Sequence, residues 1–186
     1  MGSGRLNVPN LLTIGRILVV PLLVAAVFWV PGEASVVAAT IFVAAALTDI
    51  LDGHLARTRH LVTDLGKLLD PLADKLLVGC ALLSLVAVGR VAAWAVGVIL
   101  AREVIVSVLR SVAAREGTAV AAKTLGKLKM GLQTALIVAL LCVPDAGHEG
   151  VLALLYATVA ITVLSGLDMA ATVARARHRA PLASAA

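Results

Sequence analysis

Long apolar stretches, separated by short polar breaks, run from near the start of the chain almost to its end. Each stretch is close to the roughly 20 residues that a helix needs to cross the hydrocarbon core of a bilayer. The breaks carry turn-forming residues, such as Pro31-Gly32 and Gly89-Arg90. We therefore predict six membrane-spanning helices, at residues 11–30, 35–55, 65–88, 92–114, 126–143 and 151–173.

The composition supports an all-α integral membrane fold and excludes ordinary soluble classes. Of 186 residues, 61% are hydrophobic and only 15% are charged, whereas soluble domains average about 45–50% and about 25%. Six spans leave no room for a separate soluble domain. We expect a single membrane domain at residues 1–176, with a short interfacial segment at 1–10 and a flexible tail at 177–186. The net charge of +5 therefore does not indicate a nucleic-acid partner.

Positive charge falls on one side of this predicted arrangement. Six crossings place both termini and the loops after spans two and four on the same side, where most lysines and arginines collect. In the loops on the opposite side, Arg90 is the only lysine or arginine. Because cytoplasmic loops carry the excess of Lys and Arg, we expect a multi-pass protein of the cell membrane with both termini in the cytoplasm.

Two pairs of aspartates stand where a membrane protein should avoid them. Asp49 and Asp52 end span two, and Asp70 and Asp74 begin span three. Residues three or four apart share one helix face, and the short connecting loop brings both pairs to the same depth. Four carboxylates within the bilayer would cost about 10 kcal/mol unless they lie at the interface or bind cations. Oxygen ligands favour Mg²⁺, Mn²⁺ or Ca²⁺, so these are candidate metal ligands; idle, solvated carboxylates are the alternative.

The aspartates belong to a longer motif that resembles the signature of the CDP-alcohol phosphatidyltransferase family. All eight fixed positions are present, as Asp49-x2-Asp52-Gly53-x2-Ala56-Arg57-x8-Gly66-x3-Asp70-x3-Asp74. The resemblance extends over the six spans and so covers essentially the whole chain. It implies a homodimeric membrane enzyme of six helices, with an active site on the cytoplasmic side. Such enzymes transfer a phosphatidyl group from a CDP-linked lipid to an alcohol and release CMP.

The resemblance also implies a role for each aspartate. Asp49, Asp52, Asp70 and Asp74 would surround two divalent ions, Mg²⁺ or Mn²⁺, which can clamp a pyrophosphate and stabilise the leaving CMP. Asp74, the last in the signature, looks like the general base that takes the proton of the acceptor hydroxyl. It is therefore the candidate catalytic residue.

The remaining fixed positions of the signature are implied to bind the CDP-linked lipid. Small residues let a ligand approach the backbone closely, and a cationic side chain beside them suits a pyrophosphate. The implied CDP-lipid site consists of Asp52, Gly53, Ala56, Arg57 and Gly66.

Polar side chains in spans four and five point to the acceptor alcohol. Glu103 and Arg110 lie on one polar stripe of span four, and Arg102 lies beside them near the middle of the membrane, where charge implies a cavity or an ion pair. Lys127 and Lys129 begin span five. Cations at the mouth of a cavity suit an acceptor that carries a phosphate, so we assign the phosphate to Arg110, Lys127 and Lys129. The alternative is that these cations only anchor helices in anionic lipid.

Four shorter motifs resemble the phosphatidylglycerophosphate synthases, a branch of the same family. They are Asn7-x-Pro9-Asn10-Leu11-Leu12-Thr13-x2-Arg16, Ala101-Arg102-Glu103 followed by Arg110, Gly126-Lys127-x-Lys129, and Ser165-Gly166-x-Asp168. This resemblance implies CDP-diacylglycerol as donor and sn-glycerol 3-phosphate as acceptor, with phosphatidylglycerophosphate and CMP as products.

Two alternatives to this reaction stay open at the level of sequence. The same chemistry could use another acceptor, either phosphatidylglycerol, which would give cardiolipin, or inositol phosphate. An acidic cluster within a membrane is also how ions cross, so an ion or metal transporter is the alternative from a different class. Transporters often show paired halves, and this chain has no internal repeat.

Overall fold

The computed structural model describes the backbone of residues 8–29, 35–58, 64–115 and 124–183, and the side chains of residues 15–29, 35–48, 72–115 and 125–176. Within these ranges the chain forms helices and no strand, which confirms the predicted all-α class. The six helices are α1 (Val8–Trp29), α2 (Val36–Thr58), α3 (Asp64–Ala87), α4 (Ala93–Arg115), α5 (Thr124–Cys142) and α6 (Glu149–Ala183).

The helices follow the predicted spans except at the two ends of the chain. Helix α1 begins at Val8, inside the segment predicted to be interfacial, and α6 continues to Ala183, beyond the predicted end of the last span. The residues just after Val173 are mostly alanine and arginine, which have high helix propensity. The apolar pattern therefore ends before the helix does. Flexibility of the tail at 177–186 stays a prediction.

The chain divides into two compact units. The first contains α1, α2, α3 and residues 137–146, which include the end of α5. The second contains α4, residues 124–136 of α5, and α6. In the first unit, α1 packs against both α2 and α3. Leu23, Phe42, Leu77 and Leu82 of these three helices are fully buried and form the centre of its core.

The end of α3 shows why the chain turns where the sequence predicts a break. Gly89 has a φ of +74°, which a residue without a Cβ adopts at little cost. The amide of Gly89 donates to the carbonyl of Val86 (3.0 Å), and the amide of Arg90 donates to that of Leu85 (2.8 Å). These two bonds form a Schellman motif, which satisfies carbonyls that the helix end would otherwise leave unpaired.

Arg90, the cation that the sequence places opposite the basic side, caps another helix of the first unit. Its Nε donates to the carbonyl of Leu140 (2.8 Å) and its Nη1 to that of Pro144 (3.0 Å), while Nη2 donates to the carbonyl of Val143. A cation is favourable at a helix C-terminus, where unpaired carbonyls point outward. The buried Arg90 therefore satisfies the backbone at the end of α5.

Helices α4 and α6 pack against each other in the second unit. Ile99 and Val106 of α4 and Leu155 of α6 contribute buried apolar side chains. The hydroxyl of Thr158, also fully buried, donates to the carbonyl of Leu154 in its own helix (2.7 Å). In the first turn of α4, the ring of Trp94 lies beside that of Tyr156 in α6, with 6.2 Å between the ring centroids.

Two helical segments in the described part of the chain, Leu125–Cys142 and Glu149–Ala176, are long and apolar enough to cross a membrane. Gly15–Trp29 and Val36–Thr48 are apolar but shorter. Large apolar side chains are widely exposed, among them Leu18 at 68% and Leu167 at 62%. Exposure of this kind is expected of a surface that faces lipid rather than water. Six crossings and the cytoplasmic orientation stay predictions.

Candidate active site

The motif residues lie on two neighbouring helices of the first unit. Asp49 and Asp52 stand in the second half of α2, and Asp70 and Asp74 stand in the first turns of α3. Because both segments are helical, each pair is separated by about one turn and shares one side of its helix. The predicted pairing of the carboxylates by helix register is thus consistent with the backbone.

The side chains of most of these residues lie outside the described part of the structure. This applies to Asp49, Asp52 and Asp70 of the predicted metal site, and to Ala56 and Arg57 of the predicted CDP-lipid site. Their positions are therefore given by the backbone of α2 and α3, as are those of Gly53 and Gly66.

Asp74 is the one motif carboxylate whose side chain is described. Its neighbours Ala73 and Leu77 are buried in the core of the first unit, whereas Leu72 and Leu76 are exposed. Asp74 itself is half-buried, between the packed face and the exposed face of α3. A carboxylate in this position can be reached from outside the packed core, as a general base must be.

The predicted metal site is defined by the chemistry of its donors. Four aspartates offer only oxygen atoms, which is the donor set that hard divalent cations prefer. Among the residues with described side chains, no group of three or more His, Cys, Asp or Glu could hold a metal ion. Three of the four predicted ligands fall outside that range. The donor set fits Mg²⁺ or Mn²⁺, and zinc ligands of the Cys and His type are not part of the motif.

A chain of partly buried polar contacts links α4, α5 and α6 in the second unit. Lys129 donates from Nζ to the carboxylate of Glu103. Arg102 Nη1 lies 3.5 Å from the same carboxylate oxygen, and Arg102 Nη2 donates to the hydroxyl of Ser165 at 2.8 Å. The Ser165 hydroxyl donates in turn to the carbonyl of Thr162 at 3.0 Å. We call Arg102, Glu103, Lys129 and Ser165 the Arg102 cluster.

Gly166 makes room for Arg102 against α6. A Cβ atom on Gly166 would lie 3.1 Å from Cγ of Arg102, which is closer than most Cβ atoms approach a neighbour. The absence of a side chain at this position lets the stem of Arg102 lie against the helix backbone. Gly166 and Ser165 together therefore set the position of the Arg102 guanidinium.

A small cavity lies beside the Arg102 cluster. Its volume is about 20 Å³, enough for about one water molecule. The polar residues that line it are Arg102, Arg110, Ser165 and Asp168. Arg110 is exposed, whereas the side chain of Arg102 is 13% exposed. The cavity wall thus carries two guanidinium groups, which can bind an anion, together with one carboxylate, that of Asp168.

The three residues assigned to the acceptor phosphate occupy different environments. Arg110 lines the cavity. Lys127 is exposed and is not one of the lining residues, and Lys129 is buried and paired with Glu103. The structure brings Arg110 together with Arg102, which the sequence marks as a mid-membrane charge and as part of the Ala101-Arg102-Glu103 motif but does not assign to the phosphate. An arginine near the centre of a membrane span was the sequence signal that pointed to a functional role for Arg102.

Other buried polar atoms of the second unit lack partners among the described residues. Both amide atoms of Gln133 and the hydroxyl of Thr162 belong to this group, although the two side chains are at most 3% exposed. Arg102 Nε is a further member. Buried polar groups without partners are costly, so each of these atoms is a candidate for contact with a bound water molecule or ligand.

Comparison with known proteins identifies the family. The family model for CDP-alcohol phosphatidyltransferase matches residues 6–167. The chain is 38% identical over 180 residues to a Mycobacterium tuberculosis protein named "Probable phosphatidylglycerophosphate synthase", covering 94% of this chain and 85% of that one. It is 44% identical over 147 residues to the CDP-diacylglycerol--glycerol-3-phosphate 3-phosphatidyltransferase of Bacillus subtilis, covering 73% and 76%. The match spans both the aspartate motif and the Arg102 cluster, and the chain belongs to the CDP-alcohol phosphatidyltransferase family.

Proposed function

We propose that this enzyme transfers the phosphatidyl group of CDP-diacylglycerol to sn-glycerol 3-phosphate, giving phosphatidylglycerophosphate and CMP. The names of the bacterial relatives carry this activity, and they align over most of the chain. The structural observation that supports a phosphorylated acceptor is the cavity with Arg102 and Arg110 on its wall. Guanidinium groups bind phosphate oxygens well, and an acceptor without a phosphate would not use them in this way.

Asp49, Asp52, Asp70 and Asp74 would hold the divalent ions, two per active site, as Mg²⁺ or Mn²⁺. Bound there, such ions supply positive charge that polarises the pyrophosphate and stabilises the departing CMP. The protein contributes an all-oxygen ligand set on two helices, α2 and α3, whose register holds each pair of aspartates on one side.

Asp74 is proposed as the general base. Its carboxylate would accept the proton of the acceptor hydroxyl while that oxygen forms a bond to the phosphorus that bears diacylglycerol. The bond from this phosphorus to the CMP oxygen breaks, and CMP leaves with the electron pair. The half-buried position of Asp74 on α3 supports this role, because the carboxylate combines access with a fixed helical backbone.

The CDP-linked headgroup would bind along the second half of α2 and the start of α3. Asp52, Gly53, Ala56 and Arg57 follow one another on α2, and Gly66 lies in the first turn of α3. Small residues at three of these positions allow close approach to the helix backbones. Arg57 would pair with a phosphate of the headgroup.

Arg110, Lys127 and Lys129 are proposed to hold the acceptor phosphate. Arg110 is supported by its place on the cavity wall, and Lys127 by its exposure near the same helix end as Gly126, another lining residue. Lys129 donates to Glu103. An ammonium group has three donors, so Lys129 can keep that bond and offer another to a phosphate.

We further propose that the enzyme is a homodimer of six-span subunits in the cell membrane, with both termini and the active site on the cytoplasmic side. The distribution of positive charge supports the orientation. The apolar segments Leu125–Cys142 and Glu149–Ala176 support insertion into the bilayer. Cysteine accessibility at engineered positions in the loops, measured on intact cells and on inverted vesicles, tests this orientation.

The decisive test is release of CMP by the purified protein in detergent. We expect CMP from CDP-diacylglycerol when sn-glycerol 3-phosphate is the acceptor, and loss of CMP when EDTA is added. Phosphatidylglycerol and inositol phosphate are the matched acceptors. Preference for either of them would replace the proposed acceptor, and an absence of metal-dependent CMP with every acceptor would favour the transporter alternative.

A further inference from the structure

A groove lies between α1 and α2 in the first unit. Its volume is about 260 Å³, an order of magnitude larger than the cavity beside Arg102. Val19 and Leu22 of α1 form one wall, and Ile41, Ala44 and Ala45 of α2 form the other. Arg16 and Thr48 complete the lining.

The polarity of the groove changes from one end to the other. The hydroxyl of Ser35, just before α2, points to the carbonyl of Ala26 near the end of α1 (3.4 Å), so the two helices run antiparallel. Arg16 and Thr48 therefore lie at one end of the groove, and Leu22 and Ile41 lie at the other. The hydroxyl of Thr48 donates to the carbonyl of Ala44 at 2.8 Å and so adds little polarity. Among the lining residues that the structure describes, the guanidinium of Arg16 at one end is the one charged group, and the others are apolar apart from Thr48.

The groove is in line with the aspartate motif. On α2, Ile41, Ala45 and Thr48 stand at positions i, i+4 and i+7, and Asp52 is the next position of the same series at i+11. Because α2 is helical from Val36 to Thr58, this series is a single stripe along one side of the helix. The charged end of the groove is the end nearer the motif, at a rise of about 6 Å from Thr48 to Asp52.

We propose that this groove holds one acyl chain of the CDP-linked lipid, with Arg16 at the headgroup end. The inference rests on the proposed function and deepens it by assigning a lipid-chain site. An apolar channel about 10 Å long, measured from Ile41 to Thr48 along the helix, fits a segment of hydrocarbon chain. The cation at the end nearer the motif suits the phosphates of this lipid. A groove for a bulk membrane lipid would not need to share a helix stripe with Asp52, whereas a groove for the substrate lipid would.

The test fills the groove and compares substrates that differ only in chain length. Ala44→Phe places a ring on the groove wall. Leu47→Phe is the matched control, because Leu47 is exposed on the same helix and does not line the groove. The KM for CDP-dioleoylglycerol and for CDP-dihexanoylglycerol is measured for both variants by CMP release. Ala44→Leu is the second variant if Ala44→Phe does not purify as a monodisperse protein.

We expect Ala44→Phe to raise the KM for the dioleoyl substrate about fivefold and to leave the KM for the dihexanoyl substrate within about twofold. The displaced chain moves into detergent of similar polarity, so the loss comes from close contacts rather than from transfer to water. Leu47→Phe should change neither value. Equal effects on both substrates, or equal effects of both variants, would overturn the proposal.

A binding measurement separates this proposal from the proposed reaction. The dioleoyl lipid should raise the melting temperature of the wild-type protein more than the dihexanoyl lipid does, and Ala44→Phe should remove that difference. If the wild-type protein binds in this way but releases no CMP, the proposed reaction fails while the acyl site is supported. If CMP is released but chain length makes no difference to binding, the acyl site fails alone.

Discussion

Arg102 Nη2 donates a hydrogen bond of 2.8 Å to the hydroxyl of Ser165, which ties α4 to α6. The same guanidinium lies 3.5 Å from the carboxylate of Glu103 and borders the cavity that Arg110 also lines. Ser165 thus acts on the cavity through Arg102. It is a positioning residue for the proposed acceptor site.

Ser165→Ala should therefore raise the KM for sn-glycerol 3-phosphate by about threefold to tenfold. A hydrogen bond to a charged group contributes about 1.5–3 kcal/mol, and part of that loss appears as a misplaced guanidinium. The KM for CDP-diacylglycerol should stay within about twofold. Thr172→Ala is the control, because the Thr172 hydroxyl bonds to the carbonyl of Asp168 in its own helix. A parallel rise in both KM values would show a general structural defect instead.

Gly166→Ala should act on the same guanidinium by crowding it. The added Cβ would lie 3.1 Å from Cγ of Arg102, so the arginine stem must shift by a few tenths of an ångström. We expect a severalfold increase in the acceptor KM. In Gly97→Ala nothing lies within 4 Å of the new Cβ, and alanine favours a helix over glycine by up to about 1 kcal/mol. Kinetics of Gly166→Ala that match those of Gly97→Ala would contradict the crowding argument.

Lys129→Met should lower the stability of the protein and also raise the KM for sn-glycerol 3-phosphate. The substitution leaves the partly buried carboxylate of Glu103 without its lysine, and breaking one side of a buried ion pair costs about 3 kcal/mol. The double variant Lys129→Met, Glu103→Met should recover much of the melting temperature. A single variant that melts normally would show that the pair with Glu103 does not stabilise the fold. An unchanged acceptor KM would remove Lys129 from the proposed phosphate site.

Asp74→Asn should retain binding of CDP-diacylglycerol and lose turnover by about 10²–10⁴-fold, the range that proton transfer by a positioned side chain contributes. Binding is followed by the melting temperature with CDP-diacylglycerol, and turnover by CMP release in Mg²⁺ or Mn²⁺. Asp145→Asn is the control, since Asp145 is an exposed residue between α5 and α6. Full activity of Asp74→Asn would remove this residue from the role of base.

The sequence predicted well what depends on local pattern. Apolar runs located all six helices, and the motif that contains Asp49, Asp52, Asp70 and Asp74 pointed to the family that the comparison shows. It also marked Arg102 and Glu103 as charges that need a cavity or a partner. Both are found: Arg102 lines a cavity, and Glu103 pairs with Lys129.

What the sequence could not predict depends on how helices pack. Periodicity places Arg102 on a face of α4 but does not say that Ser165 and Gly166 of α6 face it. For the same reason Lys129 was assigned only to the phosphate, although packing sets it beside Glu103. The groove between α1 and α2 has two walls that are far apart in the chain, with residues 16–22 on one and residues 41–48 on the other. The groove therefore cannot be predicted from the sequence pattern of either helix alone.

Helix α6 has a length that the bilayer cannot contain. Its 35 residues rise about 52 Å, whereas the hydrocarbon core is about 30 Å thick. Tilts of membrane helices reach about 40°, which is too little to bring the whole helix inside that core. The basic turns that begin with Arg175 must therefore stand in the layer of lipid headgroups or beyond it. A basic residue there, such as Arg175, can pair with anionic lipid headgroups, which would help to set the depth of α6 in the bilayer.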